Sequence, residues 1–309
     1  METASFNPDT DIPSLKDKVI FITGGTAGIG AASLQALARH EPAHIYFGGR
    51  NQQAAASLIS KIRETTPTAP LTFVGMDLSC LASVKAACEH LAHDRLDVLM
   101  CNAGVMEVPP AVSADGYEIR FATNHLGHAM LIRQLLPVML STARAPGGDV
   151  RIVILSSRGW AMHPKGGIQF SRLKTKSDGY VERGFLYSQS KLANLVYAAE
   201  LARRYPSITS VSIHPGVVET GMSTGMGMIA KTFVQLKNLL LGASYVKETE
   251  GMLNQLWAAT LAKKSELVNG GYYEPVGVLY NGKLDATATD PDLARRLWEF
   301  TEEALDKIL

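Results

Sequence analysis

Val19-Ile-Phe-Ile-Thr23, a run of apolar and β-branched residues, passes without a break into Gly24-Gly-Thr-Ala-Gly-Ile-Gly30 and then into Ala31-Ala-Ser-Leu-Gln-Ala-Leu-Ala38. The first segment has the composition of a buried strand, and the last has that of a helix. The glycines between them allow a tight turn whose backbone a ligand can approach closely. The stretch therefore predicts a strand, a glycine turn and a helix that begins at once.

The amino end of this helix is a suitable place for a diphosphate. Free amides and the positive end of the helix dipole face outwards there. The spacing is Thr23-Gly-x-x-x-Gly28-x-Gly30, which differs from the Gly-x-Gly-x-x-Gly of many dinucleotide-binding turns. Three glycines are also typical of a flexible loop between core elements. Because the turn lies directly between a strand and a helix, we favour a nucleotide site.

The rest of the chain continues to alternate between strands and helices. Apolar runs predict further strands at 43–47, 71–74, 96–100, 149–155, 209–213 and 271–273. Helical patterns lie between them, the longest over about 114–140, and others near 249–262 and from Asp290-Pro291 onward. We predict an α/β fold of Rossmann type, a doubly wound parallel sheet flanked by helices. No linker divides the chain, so one domain should cover 1–309, with a flexible segment at 1–16.

Composition excludes several classes of function. Thirty Lys and Arg balance 29 Asp and Glu, so no basic surface is expected for nucleic acid. The three cysteines form no CxxC pair, which predicts reduced thiols and a cytoplasmic location. Residues 1–16 lack the apolar core of a signal peptide, and no apolar run is long enough to cross a bilayer. A small molecule is the expected partner, while the oligomeric state, with a homodimer as one option, is left open.

The region after the second predicted strand indicates which dinucleotide binds. From Pro42 to Ile62 the sequence has no acidic residue, and Arg50 stands where the strand ends. NAD-binding units place an Asp or Glu about 20 residues beyond the glycines, where it binds the ribose hydroxyls. A guanidinium can instead pair with a 2′-phosphate. Arg50 could be a solvated surface residue, but the missing carboxylate and the present cation agree, and they predict NADP(H).

Two further strand ends carry candidate binding residues. Asp77 follows the third predicted strand, where its carboxylate could cap the next helix or accept a hydrogen bond from the adenine amino group. Asn102-Ala-Gly104 follows the fourth, and its small residues would let a ligand lie flat against the strand end. An ordinary turn would explain the same three residues.

Asn124-His-Leu-Gly-His128 lies in the middle of the longest predicted helix. Asparagine has poor helix propensity, so Asn124 indicates a special task unless it simply faces solvent. His125 and His128 are interpreted as packing or surface residues, because no cysteine or carboxylate has metal-ligand spacing around them. The sequence predicts no metal site.

Tyr187 and Lys191 are the candidate acid-base pair. They are four residues apart in a predicted helix, so their head groups can meet on one face. A free tyrosine has a pKa of about 10, and a nearby ammonium should lower it by favouring the phenolate. Tyr-x-x-x-Lys alone is a common accident. Its position after the strand that ends in Ser156-Ser157 makes it a strong indication.

Two segments bear on the substrate. The stretch 158–185 is rich in glycine, lysine and turn formers, and we interpret it as an excursion, a long connection between the strand at 149–155 and the helix that contains Tyr187. The segment from Gly221 to Val246 is rich in methionine and leucine and could be either an adaptable lid or ordinary core, and Met222 to Leu241 is its apolar part. Together they suggest a lipophilic ketone, aldehyde or alcohol.

The ordered set of motifs resembles that of the short-chain dehydrogenase/reductase family, in its single-domain branch. The motifs run from Thr23 to Thr220 and comprise the glycine turn, Asn102-Ala-Gly104, Asn124, Ser157, Tyr187-x-x-x-Lys191 and Pro215-Gly216. Asn124-His-Leu-Gly-His128 and the long gap from Ser157 to Tyr187 resemble the retinol-dehydrogenase-like group, whose members often carry an amino-terminal membrane anchor. The carboxyl-terminal part is similar to fungal oxidoreductases of secondary metabolism.

This resemblance implies roles for individual residues. Tyr187 would exchange a proton with the substrate oxygen, Ser157 would hydrogen-bond that oxygen, Lys191 would hold the nicotinamide ribose, and Asn124 would order a water next to Lys191. Val218 and Thr220 would fix the nicotinamide end. The full set of predicted cofactor contacts is Thr23, Gly24, Gly28, Ile29, Gly30, Arg50, Asp77, Asn102, Tyr187, Lys191, Val218 and Thr220.

The expected activity is NADP(H)-dependent interconversion of a carbonyl and an alcohol. Hydride comes from the cofactor, so the protein has to supply a proton donor and groups that stabilise the oxygen. Two alternatives remain. One is a catalytically silent NADP-binding protein, and the other is a family enzyme that catalyses dehydration or isomerisation with the same residues.

Overall fold

The computed structural model describes residues 4–89, 91–176, 180–218 and 245–308. Seven parallel strands form the central sheet, namely β1 Val19–Thr23, β2 His44–Gly49, β3 Leu71–Gly75, β4 Val98–Cys101, β5 Arg151–Leu155, β6 Thr209–Ile213 and β9 Tyr272–Tyr273. Their order across the sheet is β3-β2-β1-β4-β5-β6-β9. A separate pair consists of β7 Val217–Val218 and β8 Tyr245–Val246.

The strand order reverses between β1 and β4. From β1 the chain adds β2 and β3 on one side, and it then returns to add β4, β5 and β6 on the other. In sheets of this kind a crevice opens at the carboxyl ends of the strands at the reversal. The predicted doubly wound fold is confirmed, and the predicted strand bounds differ from those observed by at most two residues.

Helices cover both faces of the sheet. The helices are α1 Gly28–Ala38, α2 Gln52–Thr65, α3 Leu81–Cys88, α4 Ile119–Phe121, α5 Gly127–Arg144, α6 Tyr180–Arg204 and α7 Pro291–Asp306. Short helices also occupy Glu248–Gly251 and Leu253–Leu256, and single π-helical turns lie at Ala122–Leu126 and Trp257–Leu261. Among the described residues, none of these helices has the length and apolar content needed to cross a membrane.

The two hydrophobic cores follow from the alternation of side chains along β1. Val19 and Phe21 belong to the core that packs under α3, α5, α6 and α7. Ile20 and Ile22 belong to the opposite core, which includes residues of α1 and the segment around Trp257. All five residues of β1 are buried, because successive side chains of a central strand enter opposite cores.

The longest predicted helix begins later than its pattern indicates. Residues 114–118 form a turn, and Val112 pairs with Glu118 in an isolated antiparallel bridge. The helix starts at Ile119 because the Glu118 carboxylate accepts hydrogen bonds from the amides of Arg120 and Phe121, both at 3.0 Å. It continues through the π-helical turn to Arg144, past the predicted end at Leu140.

One further expectation requires correction. The excursion predicted over 158–185 ends earlier, since α6 already begins at Tyr180.

Residues 4–16, for which the polar composition predicts a flexible segment, contribute side chains to the core. Phe6, Ile12 and Leu15 are buried in the core beside α1, and the amide of Leu15 donates to the carbonyl of His40 at 2.8 Å.

The carboxyl-terminal helix α7 begins as predicted. The Asp290 side chain accepts a hydrogen bond from the amide of Asp292, and Pro291 occupies the first turn. Leu293, Leu297 and Ala304 are buried, whereas Phe300, predicted to lie on the same stripe, is half-buried.

Candidate active site

A cavity of about 460 Å³ lies at the carboxyl ends of β1, β4, β5 and β6. Most residues of the predicted site line it, namely Thr23, Gly24, Gly28, Ile29, Gly30, Arg50, Asp77, Asn102, Ser157, Tyr187, Lys191 and Val218. Asn124 is buried behind the wall, and Thr220 lies outside the described residues. The segment Met222 to Leu241 also lies outside them. The fold thus brings residues that are far apart in sequence around one cavity.

The glycine turn forms the diphosphate end of this cavity. Gly24 has a φ of +65°, which favours glycine. A Cβ atom on Gly30 would lie 2.2 Å from the carbonyl oxygen of Gly24, so this close approach excludes any side chain. Helix α1 begins after Ala27 without a side-chain cap and without an acidic residue in its first turn. Its free amides therefore suit an anionic diphosphate.

Arg50 lines the cavity directly after β2 and is exposed. The next residue, Asn51, caps α2 by accepting a hydrogen bond from the amide of Ala54 at 2.9 Å. No acidic residue occupies the first turn of α2. The Arg50 side chain thus lies at the cavity edge, with no carboxylate in the first turn of the helix that follows it, and this setting suits a phosphate.

Asp77 does not cap α3. Its Oδ1 accepts hydrogen bonds from the amide and the hydroxyl of Ser79, at 2.9 and 2.7 Å. The amide of Leu81 at the start of α3 donates instead to Asp115, 34 residues further along the chain. The capping interpretation was wrong because a distant loop supplies the cap. Asp77 still lines the cavity, so its predicted contact with adenine stays open.

The hydroxyl of Thr23 joins β1 to the loop after β4. It accepts hydrogen bonds from the amides of Asn102 and Ala103, both at 3.0 Å, and lies 2.8 Å from Nε2 of His128. Nδ1 of His128 lies 3.0 Å from the carbonyl oxygen of Asn124. Since a carbonyl only accepts, Nδ1 carries the proton and the Thr23 hydroxyl donates to Nε2. Burial lowers the pKa of His128 to about 4, which keeps this tautomer neutral.

Asn124 lies in the π-helical turn Ala122–Leu126 and is fully buried. Its Oδ1 accepts from the amide of Val105 at 2.7 Å. Its Nδ2 donates to the carbonyl of Val105 and to the hydroxyl of Ser190, both at 2.9 Å. The polar side chain is therefore fully used, and the alternative of a solvent-facing asparagine is wrong. π-Helical turns are frequent at functional sites.

Ser157, Tyr187 and Lys191 meet in the cavity. The hydroxyl of Ser157 accepts a hydrogen bond from the amide of Gly159 at 3.2 Å and also interacts with the Tyr187 hydroxyl. Lys191 is 5% exposed, and its Nζ lies 5.9 Å from the ring centre of Tyr187. The same Nζ donates to the carbonyl of Leu155 at 3.0 Å. Strand β5 and helix α6 thus set the three side chains against one another.

The expected lowering of the Tyr187 pKa is not what this structure shows. Burial raises the pKa of Tyr187, and the hydrogen bond with Ser157 opposes that rise. Burial also lowers the pKa of Lys191 to about 8.

Sequence reasoning missed two buried groups next to the site. His214 follows β6 and lines the cavity, and its Nδ1 has no hydrogen-bond partner among the described residues. Arg120 is fully buried in an ion pair with Glu118. His214 directly precedes the Pro-Gly pair that ends the strand, so its position was visible in the sequence. No local signal marked Arg120, because two of its partners, the carbonyls of Met106 and Val108, lie on a separate loop.

The model of the short chain dehydrogenase family matches residues 18–174. A short-chain dehydrogenase/reductase named drtF from Aspergillus calidoustus is 35% identical over 312 residues, covering 96% of both chains. The chain belongs to the short-chain dehydrogenase/reductase family. Human retinol dehydrogenase 14 is 32% identical over 302 residues, covering 92% of this chain and 85% of its own. The resemblance inferred from the motifs is confirmed.

Two solved structures share the fold. An uncharacterised protein from Mycobacterium paratuberculosis is 26% identical with a TM-score of 0.72, covering 96% of this chain and 97% of its own. A blue fluorescent protein from a metagenomic library, solved with NADPH, is 26% identical with a TM-score of 0.62, covering 85% and 98%. The family comprises oxidoreductases that use nicotinamide cofactors. No group of metal-ligating side chains occurs among the described residues.

Proposed function

We propose that this protein is an NADP(H)-dependent enzyme that interconverts a carbonyl and an alcohol on a lipophilic small molecule. The observation that carries the proposal is that Ser157, Tyr187 and Lys191 line the same cavity as the uncapped start of α1 and Arg50. Membership of an oxidoreductase family supports it.

The cofactor part of the proposal rests on how well the residues suit NADP(H). The close contact at Gly30 and the free amides of α1 would hold the diphosphate. Arg50 would pair with the 2′-phosphate that distinguishes NADP from NAD. Oδ1 of Asn102 is buried in the cavity wall without a partner among the described residues, so a ligand group can satisfy it. The similar structure solved with NADPH agrees with this choice.

When bound in this cavity, NADPH would supply the hydride chemistry of a carbonyl reduction. The Tyr187 hydroxyl would give its proton to the substrate oxygen, while the Ser157 hydroxyl would stabilise the charge that develops on that oxygen. Lys191 would bind the nicotinamide ribose, and a proton from solvent would restore the Tyr187 hydroxyl after each turnover. Asn124 would hold Lys191 in place through its hydrogen bond with the neighbouring Ser190.

The substrate preference is inferred from the other wall of the cavity. Val105, Val108 and Ile119 line it next to the loop after β4. Such side chains bind apolar groups by removing them from water. A cytoplasmic location and a role in secondary metabolism stay predictions from the sequence, which leaves the oligomeric state open.

The test compares Tyr187→Phe with the wild-type protein on a panel of ketones and aldehydes, following NADPH absorbance. We expect turnover to fall about 10²–10⁴-fold, since this is the usual contribution of general acid-base catalysis. NADPH affinity, measured by fluorescence, should stay close to normal. Lys191→Met should reduce both turnover and affinity. Tyr205→Phe is the matched control, because Tyr205 is half-buried outside the cavity.

Two results would contradict the proposal. Retention of more than about a tenth of wild-type turnover in Tyr187→Phe would mean that another group donates the proton, because a tenfold loss corresponds to only about 1.4 kcal/mol. Product formation without net consumption of NADPH would instead indicate a dehydratase or an isomerase.

A further inference from the structure

Arg120 is the most completely buried charged residue next to the site. Its exposure is 0%, and that of Glu118 is 1%. Nη1 of Arg120 donates to Oε1 of Glu118 at 2.9 Å. A buried ion pair is a weak source of stability, because desolvation of both charges offsets their attraction. Stability alone therefore gives little reason to place a guanidinium at this position.

The remaining donors of Arg120 hold a loop. Its Nε donates to the carbonyl of Met106 and its Nη2 to the carbonyl of Val108, both at 2.7 Å. Asn124, one helical turn further on, binds both the amide and the carbonyl of Val105. Two buried side chains thus fix four backbone groups within the four-residue loop Val105–Val108.

This loop is part of the cavity wall. Val105 and Val108 line the cavity together with Ile119 and Thr123. Ile119 and Thr123 are four residues apart, as are Arg120 and Asn124, so the start of this helix presents two neighbouring rows. One row faces the cavity, and the other binds the backbone of the loop.

We propose that Arg120 is a positioning residue that sets substrate selectivity by fixing Val105–Val108 as a rigid apolar wall. The proposal rests on the proposed function and extends it to the residue that controls substrate shape. A hydrophobic pocket with a rigid wall discriminates between substrates that differ by one methylene group by a factor of about 10–200 in kcat/KM. A forked guanidinium can bind two carbonyls and a carboxylate at once, which a lysine ammonium cannot do with the same geometry.

The experiment measures the ratio of kcat/KM for two ketones with NADPH. The panel contains straight-chain methyl ketones, each paired with the analogue that carries a tert-butyl group in place of the methyl group. The pair for which the wild-type protein shows the largest ratio of kcat/KM is then used for the variants. We expect Arg120→Lys to reduce this ratio at least fivefold while NADPH affinity stays within twofold. Arg133→Lys is the matched control, because Arg133 also pairs with acidic residues but lies on the outer side of α5.

Two further variants cover a failure of Arg120→Lys to fold. The double variant Glu118→Gln/Arg120→Met removes both buried charges while keeping their volume, and it should also lower the ratio. Val108→Ala changes the wall directly and should shift the ratio without any change in the ion pair. In the double variant of Val108→Ala and Arg120→Lys, the fold-change in the kcat/KM ratio should be smaller than the product of the two single fold-changes, because both substitutions act through the same wall.

Each outcome decides between the alternatives. A folded Arg120 variant with a lower melting temperature and an unchanged ratio would show a purely structural role and overturn the proposal. A wild-type ratio below tenfold for every pair, or an unchanged ratio in Val108→Ala, would overturn it as well. Failure of the wild-type protein to reduce any ketone would instead contradict the proposed function.

Discussion

Replacement of Gly30 by alanine tests the cofactor site with a single methyl group. The new Cβ would lie 2.2 Å from the carbonyl oxygen of Gly24 and 2.6 Å from Nδ2 of Asn102. A contact distance of about 3.5 Å is normal, so the methyl overlaps the Gly24 oxygen by more than about 1 Å. That oxygen belongs to the backbone of a turn with φ at +65° and cannot rotate away. The start of α1 therefore has to move out of the turn.

The magnitude follows from the cost of overpacking. Insertion of a methyl group into a closely packed site costs about 1–3 kcal/mol. If the strain displaces the amides that would hold the diphosphate, the binding free energy of NADPH decreases by this amount. NADPH affinity should then fall by about 10–100-fold, since 1.4 kcal/mol corresponds to a factor of ten. Turnover at saturating NADPH should change less, because Tyr187 and Lys191 lie on α6.

Fluorescence titration with NADPH measures the affinity, and thermal unfolding measures the stability. Gly184→Ala is the matched control, because Gly184 is exposed within α6 and, apart from its chain neighbours and its own helix backbone, no atom of the described residues lies within 4 Å of the position that its new methyl group would take. Alanine should stabilise that helix by up to about 1 kcal/mol. The reasoning fails if Gly30→Ala binds NADPH within twofold of wild type and unfolds at the same temperature.

Two further predictions concern charge. Arg50→Ala should weaken NADPH binding at least tenfold and leave NADH binding unchanged, as measured by parallel titrations, and an equal loss for both cofactors would refute the assignment of Arg50 to the 2′-phosphate. Burial lowers the pKa of His125 to about 3 and the pKa of both His128 and His214 to about 4. In the unfolded chain the histidine pKa is near 6.5, so between about pH 4 and 6.5 the unfolded chain binds more protons than the folded chain. The free energy of unfolding should therefore decrease as the pH falls from about 6.5 to 4. His128→Asn should lose less stability over this range in thermal melts, and an equal loss would contradict the buried neutral histidine.

Short-range patterns in the sequence predicted the elements that build the site. The apolar run Val19–Thr23 and the glycine turn after it lie where they were predicted, since alternation and turn chemistry are properties of neighbouring residues. The spacing of Tyr187 and Lys191 fixed their common helical face for the same reason. Asp290-Pro291 likewise marked the start of α7.

Local patterns did not suffice where particular side-chain contacts decide the outcome. Asp77 was a plausible cap for α3, but Asp115 supplies that cap from another loop. The pattern around residue 114 looked helical, yet the carboxylate of Glu118 begins the helix later. Residues 4–16 looked loose by composition and contribute side chains to a core that the segment itself does not reveal.

By itself the sequence determined the family, the order of strands and helices, and the identity of the proposed catalytic and cofactor-binding residues, because these depend on local periodicity and on motifs of fixed spacing. Only the tertiary structure decided the directions in which the pKa values of Tyr187 and Lys191 shift, the neutral tautomer of His128 and the contact of Arg120 with Val105–Val108. Burial and hydrogen bonding between segments far apart in the chain control these properties. They exist only once the chain has folded.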